Sequence, residues 1–197
     1  MSIHLQPTRI WAVHFGRRIV GVLVGMVALA TAVHAQAPAV QEYPLKAALL
    51  FNVAKYTDWP ESAFTGPQAP IVIGILGTDP FGEALDRVVR DRRINGRSIE
   101  IRRATGVGPL LGAHLVFVSA AEPRAAQDCA ALERAGILTV GDGGVTTLYT
   151  AISFAVDQDR VVFHVDLARS KHAGVQVSAT LLQFARSVRQ ANGVVAR

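Results

Sequence analysis

The sequence has one cysteine and few aromatic residues, and both shortages exclude classes of protein. Cys129 has no partner cysteine among the 197 residues, so the chain cannot form an internal disulfide. Its neighbours, AAQDCAALERA, are typical of a helix, in which the thiol packs as a small apolar side chain. A bridge to another molecule is the alternative. Aromatic residues make up 7% of the chain and are not interleaved with a stripe of lysines and arginines, which argues against nucleic-acid binding.

Motifs of catalysis and of metal binding are also missing. His114, His164 and His172 do not have the spacing of a zinc site. The chain has no G-x-S-x-G nucleophile elbow and no phosphate-binding loop with its lysine. We therefore expect no catalytic residue, no metal and no cofactor. A hydrolase without a known motif is therefore the weakest functional hypothesis.

The first 35 residues have the pattern of a secretory signal peptide. Arg9, Arg17 and Arg18 form a positive region, residues 19–33 form an apolar run, and the small residues of VHA end at Ala35. The apolar run is short for a membrane span, so an uncleaved anchor is the minority interpretation. The pattern predicts export to the periplasm with cleavage after Ala35.

Removal of this segment makes the charge nearly neutral. The segment holds 3 of the 20 basic residues and no acidic one, which leaves 17 basic against 15 acidic residues, a net charge of +2. The remaining basic cluster, residues 87–97, is typical of a solvated helix end and turn. Nucleic acid is therefore not an expected partner.

Alternating strand and helix patterns follow in the remaining chain. We expect a lead-in over 36–42, one domain over 43–190 and a tail over 191–197. Short apolar runs predict strands, and the segments between them predict helices. The predicted strands are 71–76, a strand around 99–101, 114–120, 137–140, and a hairpin of 151–156 with 160–167. The pattern predicts an α/β fold, a three-layer sandwich with a largely parallel central sheet flanked by helices and a late antiparallel hairpin.

The segment 43–64 predicts a helix with two apolar sides. Leu45, Ala48, Leu49, Val53 and Tyr56 recur at helical spacing, and the helix ends before Pro60. The opposite side is apolar as well, with Leu50, Phe51 and Ala54. One side would pack on the sheet, and Leu50 and Phe51, with Trp59 after the helix, would contact a second subunit or a partner.

Two loops have the composition of ligand-binding loops. GTDPFG follows the strand 71–76, and GDGG follows the strand 137–140, where open α/β sheets bind ligands. Asp79, Phe81 and Asp142 are the candidate ligand residues, and they support a small-molecule sensor as the alternative function. Turn formation is the other interpretation, with Asp79 capping a helix that begins at Pro80.

The C-terminal region has the apolar spacing of one helical segment. The pattern predicts helical structure from about Leu167 to Gln190, with a bend at Gly174 and a new N-cap at Ser178. Asn192-Gly193 would end it.

Several of these segments together resemble the YfiR family of exported bacterial proteins. They are YPLKAALLFNVAKYTDWP, IVIGILGTDPFGEAL, INGRSIEIRRA, LTV and RVVFHVDLARSKHAGVQVSATLLQFARSV, in similar order from Tyr43 to Val188. The resemblance implies a periplasmic, non-catalytic and commonly dimeric domain. It also implies a repressor that binds the periplasmic sensor domain of an inner-membrane diguanylate cyclase, so that cyclic di-GMP and biofilm formation fall. An outer-membrane lipoprotein can sequester such a repressor.

The chain departs from the family pattern in two places. Tyr149-Thr150-Ala151 replaces a Gly-Gly-Met type of turn, and Cys129 cannot provide the disulfides of better-known members. The resemblance therefore leaves redox control by an internal bridge without support, and the partner need not be a cyclase.

Overall fold

The computed structural model describes residues 39–190 and 193–196. The predicted signal peptide, and residues 36–38 of the predicted lead-in, lie outside the described residues. The helices and strands of the described chain follow in order. The helices are α1 Ala39–Lys55, α2 Glu83–Val89, α3 Ala125–Arg134, α4 Leu167–His172 and α5 Ala179–Phe184. The strands are β1 Thr57–Asp58, β2 Ile71–Leu76, β3 Ile99–Ala104, β4 Leu115–Val118, β5 Leu138–Gly141, β6 Ile152–Asp157, β7 Arg160–Asp166, β8 Gln176–Val177, β9 Ser187–Gln190 and β10 Gly193–Ala196.

The central sheet has eight strands in the order β10-β9-β7-β6-β5-β4-β2-β3. Strands β3, β2, β4, β5 and β6 are parallel to their neighbours in this order. The hairpin of β6 and β7 is antiparallel, β9 returns parallel to β7, and β10 pairs antiparallel with β9. Strands β1 and β8 form a separate antiparallel pair. The predicted α/β fold with a largely parallel sheet and late antiparallel strands is confirmed.

Two apolar clusters cover the two faces of this sheet. On one face, which we call the α1 face, helices α1 and α2 pack on side chains such as Ile73, Phe117 and Phe163. On the other, the α3 face, helix α3 and the turn at Leu110 pack on Val116 and its neighbours. The structure therefore has the three layers that the sequence predicts, with α2 and α3 on opposite faces.

Helix α1 buries residues from both of its apolar sides, since Val53 is 1% exposed and Leu49 and Tyr56 pack against the core cluster. Leu50 is fully buried and Phe51 is 7% exposed, whereas Leu45 is 51% exposed and Ala48 is also exposed. The side that we assigned to a second subunit therefore faces the protein's own core. Both sides are apolar, so hydrophobic spacing alone could not choose between them.

The predicted C-terminal helix over 167–190 is wrong as one helical segment, although its bend and its second cap are present. Gly174 has a positive φ of 69°, and β8 follows it as an extended segment paired with β1. Ser178 caps α5, because its hydroxyl accepts a hydrogen bond from the Leu181 N–H at 3.3 Å. The chain then becomes β9, because pairing with β7 satisfies its backbone groups.

Candidate functional site

A buried ion pair ties helix α1 to the end of strand β5. Lys46 Nζ lies 2.6 Å from Asp142 Oδ1 and 2.5 Å from Glu42 Oε1. The Tyr43 hydroxyl donates a hydrogen bond to Asp142 Oδ2 at 3.3 Å. Lys46 is 3% exposed and Asp142 is 9% exposed. A buried charge is tolerated only when it is paired, so each of these two residues depends on the other.

The pKa values in this network follow from its burial and its hydrogen bonds. Burial acts to lower the pKa of Lys46, but the hydrogen bonds to Asp142 and Glu42 outweigh it, and the pKa is raised. Burial and then the Asp142 carboxylate raise the pKa of Tyr43. Lys46 therefore stays an ammonium group at neutral pH. It is a fixed structural cation and not a base.

A row of aromatic rings continues from the ion pair into the core. The Tyr43 and Phe81 ring centroids are 6.0 Å apart at an interplanar angle of 87°, and Phe81 and Phe117 are 4.6 Å apart. Phe154 lies 6.3 Å beyond Phe117. The row links the start of helix α1 to the middle of the sheet, so the helix is held by both apolar and ionic contacts.

The candidate ligand residues Asp79 and Phe81 make contacts within the protein. Asp79 Oδ1 accepts a hydrogen bond from the Phe81 N–H at 2.7 Å, and Asp79 Oδ2 pairs with Arg103 at 2.7 Å. Phe81 is 5% exposed. Helix α2 begins at Glu83, after Gly82 with a φ of 48°, so the prediction that it begins at Pro80 is wrong. Asp79 caps the turn before the helix and not the helix itself.

The structure brings Phe81 and Asp142 to the same end of the sheet. Tyr43 contacts both, through its ring and through its hydroxyl. The sequence places both residues in loops after strands, but no motif pairs either of them with Lys46. The one available signal was the lysine in the apolar segment LKAALL, where an uncompensated charge would be costly. Ligand binding by these residues stays a prediction.

A cleft of about 460 Å³ opens at the same end of the sheet, beyond β2, β3 and β4. It is lined by Gly77, Thr78, Thr105 and residues 121–124. The chain moves from β2 to β3 on one side and then returns to β4 on the other side of β2. Open α/β sheets bind ligands at such a reversal of strand order. Gly77 and Thr78 of the GTDPFG loop therefore line the cleft, whereas the predicted ligand residues Asp79 and Phe81 are not part of its lining.

Trp59 lies at the opposite end of the strands. Its Nε1–H donates a hydrogen bond to the His114 carbonyl at 3.1 Å, and it is half-buried. The His114 ring packs against Trp59 and Phe64 and accepts a hydrogen bond from the Val72 N–H at 3.1 Å. Burial, followed by Arg97 and Arg102, lowers the pKa of His114 to about 4. Trp59 therefore anchors a loop to the sheet, and its contact with a partner stays a prediction.

Cys129 lies inside the apolar cluster of the α3 face. It is fully buried, and burial raises the pKa of its thiol to about 12. A thiol that stays protonated is a poor nucleophile. The packing predicted for Cys129 is present, and a bridge to another molecule would require helix α3 to open.

The α3 face loses its cover at strands β7 and β9. Inward residues such as Phe163, Val165 and Val188 are buried on the α1 face. The outward residues of the same strands are half-buried or exposed and belong to neither apolar cluster. With Ala155 of β6, which pairs with Val162, these residues form a surface that we call the open face. It consists of Ala155, Val162, His164, Ser187 and Arg189.

A depression of about 240 Å³ borders the open face. Val162, Arg160 and Phe184 line it, and Phe184 is 73% exposed. In the middle of the open face, His164 Nδ1 lies 2.7 Å from Ser187 Oγ. In β7 the buried Phe163 and Val165 alternate with the half-buried Val162 and His164, which is the pattern of a strand covered on one side only.

Residues 39–190 and 193–196 contain no group of His, Cys, Asp and Glu that could hold a metal ion. Among the same residues, no helix is long and apolar enough to span a membrane. The prediction that the protein is not an enzyme stays a prediction.

Comparisons with known proteins agree with the resemblance seen in the sequence. A solved structure of a conserved domain protein from Vibrio cholerae O1 biovar El Tor is similar, with a TM-score of 0.51 at 9% identity. The match covers 75% of this chain and 60% of that one, and at this identity it supports the fold alone. No functionally curated protein matches the chain significantly in sequence. The model of the YfiR/HmsC-like family matches residues 43–186, so the chain belongs to the YfiR/HmsC-like family.

Proposed function

We propose that this protein is a non-catalytic periplasmic regulator that binds the periplasmic sensor domain of an inner-membrane signalling protein. The partner that we propose is a diguanylate cyclase, which the protein would repress, so that cyclic di-GMP and biofilm formation fall. Membership of the YfiR/HmsC-like family supports this class of function. The signal-peptide pattern of residues 1–35 supports export, with cleavage after Ala35.

The open face is the surface that we propose for this contact, and it is the observation that carries the proposal. The α3 face is covered at β2, β4 and β5, but the outward side chains of β7 and β9 are half-buried or exposed. Val162 and Phe184 give this region apolar area, and the depression beside them has room for a partner's side chain. Arg160 and Arg189 lie at its rim, where charges set orientation and rate more than affinity.

The buried ion pair supports a rigid regulator and not a second contact site. Leu50 and Phe51 are covered by the core, so helix α1 offers these side chains to no partner in this conformation. Homodimer formation and sequestration by an outer-membrane lipoprotein remain parts of the proposal that rest on the family alone. Repression also requires that the protein bind the inactive state of the sensor more tightly than the active state.

The test is complementation of a deletion strain with a charged variant of the open face. Deletion of the gene should raise cellular cyclic di-GMP, and the wild-type gene should restore it. Val162→Glu should fail to restore it, because a carboxylate replaces apolar contact area on the proposed surface. Cyclic di-GMP is measured by mass spectrometry, and binding is measured with the purified sensor domain of the cyclase.

Ala130→Glu is the matched control, because Ala130 is exposed on helix α3 away from the open face. It should repress as the wild type does. Unchanged cyclic di-GMP after deletion would reject the cyclase as the partner. Full repression by a folded Val162→Glu variant would reject the open face as the contact surface.

A further inference from the structure

The cleft beyond β2, β3 and β4 contains a carboxylate without a counter-ion. Glu122 is half-buried in the cleft wall, and within the described residues no lysine, arginine or histidine lies within ion-pair distance of it. Its Oε1 accepts only a weak hydrogen bond from the Arg124 N–H at 3.3 Å. Glu133, near the end of helix α3, by contrast pairs with Arg169 of helix α4 at 2.8 Å. The cleft therefore presents a negative charge that the protein itself does not neutralise.

A residue of opposite charge lines the same cleft. Arg124 also lines the cleft and is exposed, and no ion pair of its guanidinium group occurs among the described residues. Thr78 and Thr105 add hydroxyl groups that can donate or accept hydrogen bonds. Ala121 and Pro123 supply the apolar part of the lining. Two unpaired charges of opposite sign in one cleft that also has apolar lining match a ligand that carries both charges.

Gly77 makes room for the carboxylate at the floor of the cleft. Its φ is 86°, and a Cβ atom added there would lie 3.0 Å from Glu122 Oε2 and 3.4 Å from the Ser119 Cβ. Any other residue would push the Glu122 side chain away and would also strain the backbone. The loop therefore holds the carboxylate close to the carboxyl ends of the strands.

We propose that this cleft binds a small zwitterion of the α-amino acid class. The ammonium group of the ligand pairs with Glu122 and is hydrogen-bonded by the threonine hydroxyls, and its carboxylate pairs with Arg124. The volume of about 460 Å³ holds a molecule the size of a large amino acid with its hydration water. This site goes beyond the proposed function, since it lies at the end of the strands and not on the open face.

The first experiment needs no partner protein. A thermal-shift panel of the protein amino acids is run on the purified protein, and the best binder is titrated by calorimetry. Its decarboxylated amine and its deaminated acid are titrated in parallel. We expect saturable binding of the amino acid and at least about 10-fold weaker binding of each analogue, because each lacks one charge-assisted contact. If no amino acid stabilises the protein, or if either analogue binds as tightly, the proposal is wrong.

Variants then assign the binding to the cleft. Glu122→Gln keeps the size of the side chain and should weaken binding of the amino acid at least about 10-fold. Glu61→Gln is the control, because Glu61 lies in the turn before Phe64, whose ring packs on His114 at the other end of the strands. Unchanged affinity in Glu122→Gln would overturn the proposal. Because the titration contains no cyclase, its failure leaves the proposed repressor function standing.

Discussion

The α3 face of the central sheet is covered by a helix in one half and is open in the other half. At β4, Val116 is fully buried beneath helix α3, and its register neighbours Gly74 and Thr139 are also covered. At β7, Val162 and His164 lie on that face half-buried, with no apolar cluster over them. The parallel half is thus buried on both sides, and the mixed half on one side.

This difference in burial separates residues that stabilise the fold from residues that can contact another protein. Residues of the covered half are bound to one another by packing and by a buried ion pair, so they determine stability. Residues of the open face contribute less to folding and remain available for contact with another protein. The following predictions compare matched substitutions in the two halves, from the largest expected effect to the smallest.

Phe117 and Phe184 are the aromatic pair for this comparison. Phe117→Ala should lower the free energy of unfolding by about 3–5 kcal/mol, because the ring is fully buried between Phe81 and Phe154. Phe184→Ala should change it by less than about 0.5 kcal/mol, because the ring is 73% exposed. Urea denaturation measures both. Equal losses would contradict the division into two halves.

The ion pairs of the two halves should differ in the same way. Lys46→Met leaves Asp142 buried without its counter-ion and should cost roughly 3 kcal/mol or more in urea denaturation. Asp157→Asn removes the Asp157–Arg186 ion pair, whose side chains are 45% and 56% exposed, and should cost less than about 1 kcal/mol. The double variant Lys46→Met/Asp142→Leu should recover part of the first loss. No recovery would mean that Lys46 acts through packing and not through its charge.

His114 should make the stability of the protein fall at acidic pH. The folded protein keeps His114 neutral down to about pH 4, whereas the unfolded chain takes up a proton near the ordinary pKa of 6.5. The unfolded state therefore binds more protons in this interval, and stability should fall as the pH falls from about 6.5 to 4. A difference of that size between the two pKa values should lower the free energy of unfolding by roughly 2–3 kcal/mol at pH 4.

The measurement is the melting temperature of the wild type and of His114→Gln over this pH interval. The variant should be less stable at pH 7, because the hydrogen bond to the Val72 N–H and the ring contacts change. Its stability should depend less on pH than that of the wild type. Parallel curves for the two proteins would show that His114 is not the titrating group.

The smallest change in stability is expected from an isosteric substitution on the α3 face. Val116→Thr places a hydroxyl group under helix α3 and should cost about 1–3 kcal/mol in thermal unfolding. Val162→Thr makes the same change on the open face and should cost less than about 0.5 kcal/mol. A loss at Val162 as large as that at Val116 would indicate that something covers the open face in solution.

Much of the fold was predictable from short-range patterns. The apolar runs IVIGIL and HLVFV predicted buried strands, and the strands β2 and β4 are covered on both faces. Asn95-Gly96 predicted a turn, and Ile94 and Arg97 close it with two backbone hydrogen bonds of 2.9 Å. The hairpin of β6 and β7 turns at Gln158 and Asp159, both with positive φ. These features depend on residues close in sequence, so the sequence contains their signal.

The candidate site was predictable only in part, because it depends on contacts distant in sequence. Asp142 was recognised as a loop residue at the end of a strand, but its partner Lys46 lies 96 positions away. The spacing of helix α1 did not specify which of its apolar residues face the core, and packing on the sheet buries Leu50 and Phe51 together with Val53. The same reason explains the C-terminal error, since β9 pairs with β7 although its sequence has helical spacing.

The sequence by itself determined the family, the alternation of strands and helices and the presence of a single cysteine, and it predicts export from the pattern of residues 1–35. Each of these follows from composition, local spacing or a contiguous motif. The tertiary structure decided that Leu50 and Phe51 are core residues, that Lys46 neutralises Asp142, and that Glu122 lacks a counter-ion within the described residues. It also decided that Val162 lies on an open face while Val116 does not. Burial and charge pairing depend on which distant segments meet, and local patterns do not specify that.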